Sequence, residues 1–182
     1  MSPAALDASK LTFEAFKEAA LRYLDRSDAS VAQLRRVLMR RVARAESPDL
    51  IEPAKAQVEL VLARLIESRL LDDARFAVAF AEGQRRRGAS ALGLRSKLRA
   101  RGLGDQDVEA ALTSTAESEL YNEEESALIY ARKRRLVVRF DVREPKQRQK
   151  ALASLARRGF SFDIAQRVLA RLSEGQLDTD DG

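Results

Sequence analysis

The sequence predicts an all-α protein made of three tandem three-helix units, helix-turn-helix-like in plan. Composition, periodicity and self-similarity carry that prediction. Ala, Leu, Arg and Glu dominate, against only eight Gly and four Pro in 182 residues, and these common residues lose little side-chain freedom in a helix. Apolar residues recur at i, i+3, i+4 and i+7 through nearly every segment. One arrangement, a helix stopped by Gly and followed by a capped helix, returns along the chain.

The elements follow in order. Residues 1–11 are expected to be disordered. Thr12 to Leu24 reads as the first helix, and Ser30 opens the second with Gln33 completing a capping box. Val31, Leu34 and Leu38 line one face of that helix. Arg44 to Pro53 reads as a loop, with Pro53 in the first turn of the third helix. There Val58, Val61, Leu62, Leu65 and Ile66 form an apolar stripe. These elements make a first unit over 12–70.

The second unit covers 71–117. Asp72-Asp73 offers an N-cap to a helix carrying Phe76, Ala77 and Phe80 and ending near Gly88. Ser90 to Arg101 is a fifth helix, stopped at Gly102, and Asp105 caps a sixth with Val108, Ala111 and Leu112. The third unit covers 118–173. Leu120 to Arg134 is its first helix. Leu136 to Glu144 is ambiguous, since Val137, Val138 and Phe140 suit a strand that has no partner. Pro145 opens an eighth helix ending at Gly159, and Ser161 or Asp163 starts a ninth. Residues 174–182 read as a flexible acidic tail. Leu34 and Leu38, Leu94 and Leu98, and Ala151 and Leu155 hold equivalent places in the middle helix of each unit. Leu98-Arg99-Ala100-Arg101-Gly102-Leu103 parallels Leu155-Ala156-Arg157-Arg158-Gly159-Phe160.

Absences exclude whole function classes. The sequence has no Cys and no His, so no thiolate zinc site, cysteine nucleophile or histidine base is available. No P-loop or nucleophile elbow occurs. Neither a membrane-spanning run nor a basic-then-apolar leader is visible, so a cytosolic, non-enzymatic protein with no cofactor and no metal is expected. Adjacent acids such as Glu123-Glu124-Glu125 do not converge on a helix, and read as caps and solvated charge rather than cation ligands.

The net charge of +5 points to a polyanionic partner. Arg36, Arg40 and Arg44 share one stripe of the second helix. Arg85-Arg86-Arg87 sits at a helix end before Gly88. On the fifth helix Arg95 and Arg99 share a face, while Lys97 and Arg101 lie on the other side of its apolar stripe. Arg132 to Arg135 and Arg157-Arg158 add two more clusters. Each cluster reads either as a phosphate or acidic-protein contact or as a solvated helix face, and cations also suit helix C-termini. The sixth helix, expected over Asp105 to Thr115, holds no Lys or Arg and carries Asp107 and Glu109. Base-specific readout by that helix is therefore disfavoured, and contact with free single-stranded DNA should be weak and non-specific. A general nucleic-acid-binding protein or a helix-turn-helix transcription regulator remains the alternative.

The order of these features resembles the RecX family. Leu71-Asp72-Asp73-Ala74-Arg75-Phe76-Ala77 looks like its central signature. Arg85-Arg86-Arg87-Gly88 follows, then Leu94 to Leu103, Asp107-Val108, and Leu155 to Ile164. The resemblance implies an elongated, curved row of repeats. It also implies binding in the groove of the RecA–single-stranded DNA filament, inhibiting the ATPase, strand-exchange and coprotease activities of RecA; the chain itself is expected to be a monomer. The residues expected at that interface are Arg36, Arg40, Arg85, Arg86, Arg87, Arg95, Lys97, Arg99, Arg101, Arg157 and Arg158. Arg85 to Arg87 with Arg95 and Arg99 are expected on the filament-facing surface.

Overall fold

The computed structural model describes residues 5–118 and 122–177, with side chains up to residue 174. Among them are ten α-helices: α1 Phe13–Leu24, α2 Val31–Val42, α3 Ile51–Glu67, α4 Asp73–Arg85, α5 Ala91–Ala100, α6 Asp105–Ala116, α7 Glu123–Lys133, α8 Leu136–Arg139, α9 Pro145–Arg157 and α10 Phe162–Leu177. Two 3₁₀ turns, Ala8–Lys10 and Pro48–Leu50, accompany them. The described residues contain no strand beyond an isolated bridge between Leu6 and Ala45. The chain is thus all-helical, in three tandem three-helix repeats. The ambiguous stretch after residue 135 contributes the extra turn α8 rather than a strand. The expected start of the seventh helix at Leu120 lies outside the described residues.

Backbone hydrogen-bonding chemistry sets the boundaries. The Ser30 hydroxyl accepts from the Gln33 N–H at 3.1 Å, and the Gln33 side chain accepts from the Ser30 N–H at 3.3 Å. This closes the capping box of α2. Thr12 caps α1, Asp72 caps α4, Asn122 caps α7 and Glu144 caps α9 through side-chain oxygens. The α5–α6 and α9–α10 turns use Gly102 and Gly159, whose φ angles of 80° and 95° are left-handed conformations that a Cβ would strain.

Two compact units result. One comprises residues up to Phe76 together with Arg101–Leu103. Its core joins Phe16 and Ala20 of α1, Leu34, Leu38 and Val42 of α2, and Val58, Val61, Leu62 and Leu65 of α3. Ile66, expected on the same stripe, is 47% exposed. Of residues 5–11, expected to be disordered, Leu6 and Leu11 pack onto this unit. Leu6 donates to the Arg44 carbonyl at 2.7 Å and accepts from the Glu46 N–H at 3.0 Å, and Leu11 is buried in the core. The period rules that predict helices do not register so short a segment.

The other unit comprises Ala77–Ala100 and residues from Gly104 onward. Leu94 and Leu98 of α5 and Val108, Ala111 and Leu112 of α6 are buried there. A cluster of Ala127, Leu128, Ala131, Leu136, Ala151, Leu155, Phe160, Val168 and Leu169 holds α7 to α10 together. Helix α10 continues to Leu177, into the stretch expected to be a flexible tail.

Candidate functional site

The two units repeat one structural joint, and it explains several charged residues. Ala29-Ser30 before α2 and Ala89-Ser90 before α5 are fully or almost fully buried, and the two pairs stand at the same place in successive repeats. In the first unit, the Ser30 hydroxyl donates to the Arg101 carbonyl at 2.6 Å. The Val31 N–H donates to Asp73 Oδ1 at 2.8 Å. In the second unit, the Ser90 hydroxyl donates to the Arg158 carbonyl at 2.7 Å, and the Ala91 N–H donates to the Glu123 carboxylate at 2.9 Å. The helix-end carbonyl and the free N-terminal N–H are thus satisfied by the neighbouring repeat.

Arg85 belongs to this joint and not to the surface. Its side chain is 1% exposed, and one terminal nitrogen donates to the Ala89 carbonyl at 3.2 Å and to the Glu123 carboxylate. The expectation that Arg85 faces a partner is therefore corrected. Burying a guanidinium is tolerable only where charge and hydrogen bonding are matched, and Glu123 supplies both. Arg86 and Arg87 of the same triplet are exposed.

Arg95 and Arg99 lie on the expected face of α5 but are engaged internally. Arg95 makes a two-pronged pair with Glu109 at 3.0 and 2.7 Å, and Arg99 holds Asp105 at 2.9 Å. Glu109 raises the Arg95 pKa, first by hydrogen bonding and then by its charge. The equivalent residue of the first repeat, Arg35, pairs with Glu59 at 2.8 Å through both prongs. The same bidentate link between second and third helices thus occurs twice, which marks it as structural. The signal available in the sequence was an acid on the third helix across from the arginine.

The other expected residues fall into separate groups. Arg36 and Arg40 are exposed on α2. Arg101 lies close enough to Arg36 that burial first, and the Arg36 charge second, lower its pKa. Lys97 donates to the Gln84 side chain. Arg157 and Arg158 are exposed at the end of α9, where they meet Arg134 and Arg139 around a cleft of about 240 Å³. Arg139 was not among the expected site residues, because its stretch had no assigned structure. Among the described residues no three His, Cys, Asp or Glu side chains could jointly hold a metal ion. Nor is any helix there long and apolar enough to cross a membrane.

Comparison with known proteins gives a consistent result. Residues 72–112 match the family described as RecX, second three-helix domain, and residues 122–169 match RecX, third three-helix domain. The chain is 40% identical over 158 residues to the regulatory protein RecX of Myxococcus xanthus, covering 84% of this chain and 83% of that protein. It is 34% identical over 162 residues to the regulatory protein RecX of Agrobacterium fabrum, covering 87% and 83%. The crystal structure of RecX from Lactobacillus salivarius matches the fold with a TM-score of 0.68 at 21% identity, covering 88% of this chain and 96% of that one.

Proposed function

The chain belongs to the RecX family of regulatory proteins, and from that membership we propose that it is a non-enzymatic negative regulator of the RecA recombinase. It binds the RecA–single-stranded DNA filament in the cytosol, as a monomer, and holds down ATP hydrolysis, strand exchange and coprotease activity. The observation that carries this reading is the 40% identity to a regulatory protein RecX over 83% of that relative's length. Exposed Arg36, Arg40, Arg86, Arg87, Arg157 and Arg158 support it, because a nucleoprotein filament presents phosphates and acidic protein surface to which arginine forks bind.

A helix-turn-helix transcription regulator is a poorer fit. Helix α6 has no Lys or Arg, and its acids Asp105 and Glu109 are occupied by Arg99 and Arg95. Such a helix offers no Arg or Lys to guanine edges, and its acidic first turn repels backbone phosphates. Co-sedimentation with RecA tests the proposal. The chain should pellet with RecA assembled on single-stranded DNA, and pelleting with DNA alone should be much weaker. Equal pelleting with and without RecA would favour the general nucleic-acid-binding reading.

A further inference from the structure

The third repeat gathers four arginines around one tyrosine. Arg134 stands at the C-terminal end of α7, Arg139 at the end of α8, and Arg157 and Arg158 at the end of α9. All four line the cleft of about 240 Å³, with Tyr130, Leu136 and Ser154 as the remaining wall. Among the described residues no carboxylate lines it. Among the described residues none of these arginines is in an ion pair, whereas Arg35, Arg95, Arg99 and Arg167 each have an acidic partner. The two acids that follow Arg139 in the sequence accept from backbone: Asp141 from the Arg143 N–H at 3.0 Å, and Glu144 from the Lys146 and Gln147 N–H groups.

The backbone is bent to make this cleft. Arg135, between α7 and α8, has φ 50° and ψ 45°, the left-handed region that a side chain occupies at a cost of roughly 1 kcal/mol. That turn brings Arg134 and Arg139 to the same cleft. Four like charges in one place repel each other, and a helix-end dipole offsets only part of that repulsion. An anion of two or more charges offsets much more of it.

We propose that this cleft binds adjacent phosphates of a nucleic-acid strand and takes no part in reading its bases. The Tyr130 ring decides the second half. The Arg134 and Arg158 guanidinium groups lie 6.0 and 5.7 Å from its centroid, and Phe160 lies 6.1 Å away at a 46° tilt. Its hydroxyl is within 3.3 Å of the Ser154 hydroxyl. A ring so surrounded anchors the arginines and is closed to base stacking, the usual means of holding unpaired bases. This inference deepens the filament-regulator reading by giving the strand a place on the chain. Its test contains no recombinase, so the two stand or fall separately.

The full chain is titrated against fluorescent oligothymidylate and oligoadenylate of equal length, at several salt concentrations, by anisotropy. R139Q/R157Q removes two cleft charges without touching the pair stacked on Tyr130. R35Q/R95Q removes two charges that are already paired internally, as the control. The expected result is a several-fold loss of affinity for both oligonucleotides in R139Q/R157Q. Its slope of log affinity against log salt should fall by about 1.4, since each phosphate contact on a single strand contributes about 0.7. R35Q/R95Q should leave the slope within about 0.3 of wild type, half of one contact. An unchanged slope in R139Q/R157Q overturns the proposal, as does an equal fall in R35Q/R95Q. A wild-type preference of tenfold or more for one base composition overturns the claim that bases go unread. Inorganic pyrophosphate is the second probe: if it displaces the strand only at concentrations that plain salt of equal ionic strength also requires, the cleft holds a strand. Displacement far below that makes it a site for free phosphates, which also overturns the proposal as stated.

Discussion

Arg85→Met separates a structural arginine from its surface neighbours. Arg85 is 1% exposed, and Glu123, its partner, retains 23% side-chain exposure. Breaking a buried pair by removing one partner costs about 3–5 kcal/mol. Three features of this site bring the figure down. The orphaned Glu123 keeps its bond from the Ala91 N–H and some access to water. The Arg85 Nε has no acceptor among the described residues, so Met removes a polar group that was already costly to bury. Met also fills most of the volume that Arg leaves. A loss of about 2–3 kcal/mol remains, and for a chain of this length that corresponds to a melting point lowered by about 5–10 °C. Thermal unfolding followed by far-ultraviolet circular dichroism reads it directly. R86Q/R87Q, at exposed positions of the same triplet, should shift melting by the equivalent of about 1 kcal/mol or less. If R85M melts with wild type, or if R86Q/R87Q melts as low as R85M, Arg85 is not the buried half of the joint.

Other consequences follow from the same contacts. In G102A the new Cβ would stand 2.4 Å from the Ala32 Cβ, and in G159A 2.7 Å from the Ser90 hydroxyl, both at left-handed φ. Backbone strain and overpacking together should cost about 2–4 kcal/mol in each, read as a lower urea midpoint at unchanged slope. The Arg35 pair holds the Glu59 carboxyl below its ordinary value of 4.5, chiefly through its hydrogen bond. A depressed acid stabilises the fold above its unfolded pKa, and that contribution fades as pH falls through the folded value. E59Q should therefore lose up to about 1 kcal/mol near neutrality, given the pair's exposure, and that deficit should shrink steadily as pH falls below 4.5. A deficit that stays constant as pH falls would show that the pair's charge is irrelevant.

Much of the fold was legible because local rules agree with global packing in this chain. The Ser30–Gln33 capping box, the Gly102 and Gly159 stops, and the Leu34/Leu38 and Leu94/Leu98 stripes all occur where periodicity and capping place them. The site was less legible, because neighbouring arginines look alike in a sequence. Whether Arg85 is buried depends on Glu123, 38 residues away, while Arg86 beside it faces solvent. Arg95 looked available because its partner Glu109 lies on the next helix. The recurrence of that link as Arg35–Glu59 is visible only once the repeats are aligned in space. The four-arginine cleft escaped for a different reason: it needs the left-handed turn at Arg135, and no propensity rule places an arginine there.

The most direct test of the functional account is the rate of ATP hydrolysis by RecA on single-stranded DNA, measured as this chain is added to preformed filaments. The rate should fall steadily with added protein, and R86Q/R87Q should need several-fold more protein for the same fall while melting like wild type. Added salt should mimic part of that loss, since exposed charge pairs are screened over about 10 Å at moderate ionic strength. A RecA rate unchanged at saturating wild-type protein would contradict the account outright.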